Sequence, residues 1–417
     1  MNFLKTSLLS AISTVIKLAS GLVINKIIAV YIGPAGVALI GQFQNFLGII
    51  TTIGNGAINS GVTKYVAEYN EDDQKRTDVI NAAFLITLFF SLILGGIVFL
   101  GSAYFSSWIF QTEKYSIIFK ILGITLIFSG LNTVLLSIIN GMKKIKLFIA
   151  INISSSLLSL LITSILTIKY QVFGALLAMV FVQAFILFIT LPIAVKKLNI
   201  NIRFNKIVDK MYFRKLFAFS LMAIVSVIAV SFTQILIRNH LILMFSIEQA
   251  GYWQSVWMIS TMYLMVLTTA FSTYYLPKLS ELKKKEELRR EILSGYKIII
   301  PFVVITASGI YFLRDFIILV LFTPDFYEMR SLFLFQLIGD FFKMLSWTLS
   351  FLMIAKAMTK TFIVTEIAFS LSFYVLTIWL TQINGLIGVT QAYALSYLIY
   401  LVTMSTVFKD ILSSPKK

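Results

Sequence analysis

The chain has 417 residues, 59% of them hydrophobic and only 13% charged, with a mean hydropathy of +0.91, which excludes an ordinary soluble domain. With no cysteine there is no thiol or disulfide chemistry, and a single histidine, His240, excludes a multi-histidine metal site. A net charge of +17 would suggest nucleic acid in a soluble protein, but here the placement of the basic residues gives a better reason for it.

Apolar runs able to cross the ~30 Å hydrocarbon core recur about twelve times, at 8–32, 37–62, 79–104, 116–138, 147–168, 172–195, 215–237, 250–276, 297–322, 331–355, 361–381 and 386–408. The first follows a lysine, as a signal peptide would, but it is too long and lacks a small-residue cleavage site, so it reads as a retained span. It carries two lysines. Lys17 falls near mid-membrane, where an ammonium costs about 3 kcal/mol unless it meets water or a partner. Lys26 lies closer to the far end and can snorkel to the interface. On a straight helix the two face opposite ways, so one cavity takes both only if the helix bends near Gly21.

In the second span Gly48, Thr52, Asn55 and Asn59 recur at helical spacing, a polar stripe that reads either as a cavity lining or as helix–helix packing. Gln42 and Gln44 suit the external mouth or an interface, and Lys64 and Glu68 suit an ordinary helix pair. The stretch 196–214 is the only hydrophilic link between two equal sets of six spans. It divides the chain into an N-terminal lobe at 1–195, a linker, and a C-terminal lobe at 215–417. Ala250-Gly251 at the start of span eight repeats Ala35-Gly36 at the start of span two, which supports two homologous halves.

Span eight offers Trp253, Gln254, Trp257, Ser260 and Thr261, an aromatic and polar surface on which a sugar could stack, although Trp253 also suits an interfacial belt. Arg238, Arg314 and Asp315 fall at external span ends. Arg314 could meet an anionic head group, pair with Asp315, or anchor at the interface. In span ten Gln336, Asp340, Lys343 and Trp347 share one helical face; Asp340 and Lys343 read as a self-neutralising pair or as part of an ion pathway. Glu366 lies near a cytoplasmic span end, Lys120 snorkels outward, and the mixed charges of 281–291 read as a solvated amphipathic helix.

Basic residues crowd alternate loops, among them Lys143, Lys144, Lys146, Lys196, Lys197, Lys283, Lys284 and Lys285. The opposite side holds only Lys114, Lys169, Arg238, Arg314 and Arg330. The asymmetry places both termini in the cytoplasm. Anionic membrane lipids are a secondary use of that charge, and nucleic acid is not expected as a partner. No phosphate-binding loop occurs, and the first external loop, IGPAG, has no carboxylate for glycosyl transfer. No enzyme, catalytic residue, cofactor or metal site is therefore expected. Cations outnumber carboxylates within the spans, which suits a substrate of fixed negative charge such as a pyrophosphate.

The segments GPAGVALIGQFQNF, NSGVTKYVAEY, AGYWQSVWMIS, YYLPKLSEL, LRDFIILVLF and FQLIGDFFKM resemble the Wzx-type lipid-linked oligosaccharide flippases, from Lys5 to about Tyr400. These are the O-antigen and enterobacterial common antigen translocases of the polysaccharide transporter family. The resemblance implies the all-α, polytopic fold of the multidrug/oligosaccharidyl-lipid/polysaccharide (MOP, MATE-like) superfamily, two six-helix lobes around a central cavity. It implies a multi-pass protein of the bacterial inner membrane that moves undecaprenyl-diphosphate-linked O-antigen repeat units to the periplasmic leaflet by alternating access. The alternatives are the common antigen carrier lipid, lipid III, and drug export. Lys17, Lys26, Asn55, Asn59, Lys64, Trp257 and Arg314 become candidates for pyrophosphate or sugar, and Asp340 and Lys343 for coupling to a proton or sodium gradient. A polysaccharide polymerase and a chain-length regulator are the further partners expected.

Overall fold

The computed structural model describes residues 3–198 and 209–413, and its regular elements are all helical. In chain order they are α1 (Phe3–Gly54), α2 (Asn59–Glu68), α3 (Asp73–Leu100), α4 (Ser102–Phe110), α5 (Ser116–Gly141), α6 (Ile145–Leu198) and α7 (Lys210–Met244). Then come α8 (Ile247–Ala270), α9 (Leu276–Glu281), α10 (Lys285–Phe312), α11 (Arg314–Leu321), α12 (Phe333–Ala355), α13 (Thr359–Asn384), α14 (Ile387–Val407) and α15 (Lys409–Leu412). A π-helical turn, Phe271–Tyr275, joins α8 to α9, and 3-10 turns at Glu113–Tyr115 and Pro324–Leu332 lead into α5 and α12. Most of the basic link, residues 199–208, lies outside the described residues.

Among the described residues nine helical segments are long and apolar enough to cross a membrane. Two of them are double. At 52 and 54 residues, α1 and α6 would run to roughly 80 Å as straight helices, more than twice the hydrocarbon core. Each is interrupted, α1 at Gly33 (φ +70°) just before Pro34, and α6 at Gln171 (φ +50°). Counting the two long helices twice and adding α8, 24 residues long, gives twelve helical segments among the described residues, in line with the about twelve spans expected.

The structure corrects two local readings. The second span does not run to residue 62: it stops at Gly54, where Asn55 accepts a hydrogen bond from Ala57 N (2.9 Å) and Gly56 takes φ +70°, and a new helix begins at Asn59. An Asx-type turn followed by a left-handed glycine ends the helix more strongly than the surrounding apolar residues extend it. The charged stretch at 281–291 is, from Lys285 on, the solvated amphipathic helix expected of it: Lys285, Glu286 and Glu287 are exposed while Leu288 is buried, and the helix continues as α10. The first span carries no break at Gly21, its only non-helical residue being Gly33, so the bend that would have turned Lys17 and Lys26 to one side is absent.

The chain forms two compact units. One comprises Met1–Ile32 and Leu39–Ser231, the other Gly33–Ala38 and Phe232–Lys417. In the first, Ile58 and, on α2, Val62 and Val66 pack with Val79, Ile80 and Ala83 of α3 and with Leu135 and Ile138 of α5 in one continuous apolar core. In the second, α12 lies against α14, and Gly339 is so close to the Tyr393 ring that a Cβ would come within 2.2 Å of it. The short segment Gly33–Ala38 belongs to this second unit, where the Pro34 carbonyl lies against Gly251, bringing together the two repeated Ala-Gly pairs.

Candidate functional site

In the first unit a cavity of about 340 Å³ is lined by Thr51, Thr52, Asn55 and Asn59, by Ser129, Gly130, Asn132 and Thr133 of α5, and by Ser155, Val182, Gln183 and Ile186 of α6. Its size is that of a small-molecule site, about 300–1,000 Å³. No charged side chain lines it, so it offers amides and hydroxyls to a neutral, hydroxyl-rich guest or to water. Two amide oxygens there, Asn59 Oδ1 and Asn132 Oδ1, are buried without a hydrogen-bond partner. A buried polar atom left alone costs about 1–3 kcal/mol, so a donor that reached either oxygen would relieve that cost. Asn55 and Asn59 do meet in one cavity, but through the Gly54–Asn59 turn rather than through one helical face.

In the second unit α12 presents Gln336, Asp340 and Lys343 at the spacing the sequence shows. Asp340 is fully buried, and three hydroxyls converge on it: Ser260 and Tyr263 of α8 donate to Oδ2 (2.9 Å for Tyr263), and Tyr393 of α14 donates to Oδ1 (2.9 Å). Gln336 Nε2 donates in turn to Ser260 Oγ (3.2 Å). Asp340 and Lys343 make no direct ion pair, although each still feels the other's charge. The Lys343 ammonium lies instead among four rings, 4.9 Å from the Trp347 centroid, 5.4 Å from Trp257, 5.6 Å from Tyr397 and 6.0 Å from Tyr393. Hydrogen bonds to a charged group contribute about 1.5–3 kcal/mol each, so three of them offset the roughly 3 kcal/mol of placing a carboxylate inside a span. A desolvated cation–π contact contributes about 2 kcal/mol, which does the same for the ammonium. Opposite charges are thus held a turn apart, each on its own partners, an arrangement suited to exchanging a proton or a small cation. Trp257 has little ring left for a sugar, since Phe373 stacks on it at 6.5 Å and Tyr393 meets it edge-on at 5.2 Å.

The remaining cations are dispersed. Lys17 is exposed on α1 and Lys26 is half-buried. Lys64 is exposed on α2, its ammonium 5.1 Å from the Tyr65 ring. Arg314 stacks on Tyr311 (4.3 Å) and donates to its carbonyl at 2.7 Å. Asp315 does not pair with Arg314; its partner is Arg330 Nε at 3.0 Å. Trp253 is fully buried with Arg238 over its ring at 5.4 Å, so it is not a belt residue in this structure. Sequence reading overlooked Tyr263, Tyr393 and Tyr397, although tyrosines at 393, 397 and 400 in an apolar span mark a polar stripe. It also overlooked Asn132 and Gln183.

The polysaccharide biosynthesis protein family profile matches residues 3–283. The chain is 30% identical over 417 residues to the lipid III flippases of Escherichia coli (strain K12) and of Shigella flexneri, covering 98% of this chain and 98% of each. Among solved structures, an inward-facing multidrug resistance MATE transporter of the MOP superfamily superposes with a TM-score of 0.77 at 15% identity, covering 97% of this chain and 96% of the other. The lipid II flippase MurJ, in an inward closed conformation, superposes with a TM-score of 0.74 at 17% identity, covering 98% and 90%. At such identities the likeness is one of fold.

Proposed function

The chain belongs to the polysaccharide biosynthesis protein family, and from that premise we propose that it flips an undecaprenyl-diphosphate-linked oligosaccharide from the cytoplasmic to the periplasmic leaflet of the bacterial inner membrane, with both termini in the cytoplasm. The observation that carries this reading is the end-to-end match to two lipid III flippases. The uncharged amide and hydroxyl cavity supports it, because sugars need such partners and a hydrophobic drug does not. The repeat unit is that of O-antigen or, in the second reading favoured by the relatives' names, lipid III itself.

In this proposal the lobes at 1–195 and 215–417, joined by 196–214, alternate access to the substrate. Lys17, Lys26, Lys64 and Arg314 meet the pyrophosphate. Asn55, Asn59 and Asn132 meet the sugars, with Asn55 offering its amide NH₂ because its oxygen is held by Ala57. Trp257 contributes at most an edge to the sugars. Asp340 and Lys343 couple the cycle to a proton or sodium gradient, and the product passes to a polymerase with its chain-length regulator.

The test is the leaflet distribution of the lipid-linked oligosaccharide in a deletion strain, together with its surface polysaccharide. Inner-leaflet accumulation and loss of the surface polymer, both restored by the gene, are expected. A normal distribution in a strain without a redundant flippase overturns the proposal, and altered drug susceptibility there would point to export instead.

A further inference from the structure

A second concentration of charge stands apart from the cavity and from α12. At one end of the first unit, Tyr65 of α2 and Tyr69, which caps it, stack with centroids 6.1 Å apart, and Tyr212 of α7 meets Tyr69 edge-on at 6.5 Å. Lys215 of α7 lies against all three rings, 5.5 Å from Tyr65, 5.3 Å from Tyr69 and 5.9 Å from Tyr212, and donates to the Tyr69 hydroxyl at 2.7 Å. Lys64 approaches the same Tyr65 ring to 5.1 Å. Two ammonium groups far apart in sequence therefore flank one aromatic ring. Lys75 approaches Tyr69 at 6.0 Å, but it is already paired with Asp72 at 2.9 Å.

Three features go beyond a latch between α2 and α7. Lys215 has no carboxylate within ion-pair distance among the described residues, and one of its three N–H donors is used by Tyr69. The Tyr69 hydroxyl accepts from Lys215, and among the described residues nothing takes its own proton, so it too points to an acceptor still to come. The cluster also lies where α3 and α7 begin, so it stands at the depth where tyrosine and lysine meet lipid head groups. Two ammoniums and a hydroxyl donor on an aromatic floor match the several acceptor oxygens and multiple charge of a phosphate or diphosphate ester. A carboxylate would leave donors unused.

We propose that Lys64, Lys215 and the Tyr69 hydroxyl form a binding site for the phosphate group of a lipid, on a floor made by Tyr65, Tyr69 and Tyr212. In its fuller form, where that phosphate is the diphosphate of the carried lipid and the site loads the transporter, the proposal rests on the flippase reading.

The test uses the full chain in phosphatidylcholine nanodiscs, titrated with farnesyl diphosphate, with and without phosphatidylglycerol in the disc. Lys215→Gln should raise Kd about tenfold, the loss of one charge-assisted contact, and Lys64→Gln with Lys215→Gln should raise it further. Tyr69→Phe keeps the ring and should raise Kd about threefold or more by the loss of one neutral donor. Lys215→Arg should restore binding, and Lys75→Gln should change it less than twofold. Competition by phosphatidylglycerol assigns the site to anionic phospholipid in general; its absence assigns the site to the diphosphate. Either supports the proposal.

A double lysine variant that binds within twofold of wild type overturns the proposal. If that variant fails to fold, unchanged binding by a folded Tyr69→Phe overturns it equally. Diphosphate binding with this residue dependence, in a protein whose deletion leaves the leaflets unchanged, removes the flippase reading and leaves the site. A deletion phenotype with residue-independent binding does the reverse.

Discussion

The hydroxyl partners of Asp340 are unequal, and that inequality makes a prediction. Among the described residues Oδ2 accepts from both Ser260 and Tyr263, whereas Oδ1 accepts from Tyr393 alone. Tyr393→Phe removes one oxygen and keeps the ring that packs on Gly339 and Trp257, so it strips Oδ1 of its only donor without opening a cavity. A hydrogen bond to a buried charged group contributes about 1.5–3 kcal/mol, and that is the expected loss. It corresponds to a roughly 10- to 150-fold fall in the ratio of folded to unfolded protein. Tyr263→Phe leaves Ser260 on Oδ2 and should cost about 1 kcal/mol less. Tyr397→Phe, whose hydroxyl does not reach Asp340, is the control and should stay within about 0.5 kcal/mol of wild type. The assay is reversible unfolding of the purified chain in mixed micelles, followed by tryptophan fluorescence. A cycle pairing Tyr393→Phe with Asp340→Asn isolates the charged part of the contact. A Tyr263→Phe loss equal to or larger than that of Tyr393→Phe would refute the reasoning.

Three further outcomes are expected. In Gly251→Ala the new Cβ would lie 2.0 Å from the Pro34 carbonyl oxygen; the helix gains about 1 kcal/mol from alanine, but overpacking against backbone costs about 1–3 kcal/mol or more, so the net effect is destabilising in the same unfolding assay. Asn55→Ala should lose about 0.5–1.5 kcal/mol of stability, the worth of one side-chain hydrogen bond, because the Ala57 N–H keeps the Thr52 carbonyl (2.9 Å), whereas Asn132→Ala, whose oxygen has no partner, should keep its stability and raise the substrate concentration for half-maximal transport about tenfold. Lys17→Ala should abolish restoration of the surface polysaccharide while the protein stays in the membrane on a fractionation blot; full restoration would remove Lys17 from the pathway.

The spans were legible because twenty apolar residues have few other uses, and the stripe Gln336, Asp340, Lys343 survived because α12 is one uninterrupted helix. Helical period failed at Asn55 and Asn59, where the Gly-Asn-Gly signal for a turn is written in the sequence but lies within an apolar run. The partners of Asp340 were not legible, since Ser260 and Tyr393 lie on other helices and the nearer charge, Lys343, offered a simpler pairing. The setting of Lys215 was not legible either, because two of its three tyrosines come from the region of α2, Tyr69 lying 146 residues earlier. Local periodicity reports which face a residue occupies. It carries no information on what the opposing helix brings.

The buried carboxyl of α12 also imposes an order on synthesis. Ser260 and Tyr263 are already in the membrane when Asp340 leaves the ribosome, but Tyr393 follows 53 residues later. Until α14 is inserted, Oδ1 lacks that donor, and one unmet carboxyl oxygen costs about 1–3 kcal/mol. The two hydroxyls of α8 can therefore hold α12 in the membrane first, and α14 completes the site as nearly the last helix to be made.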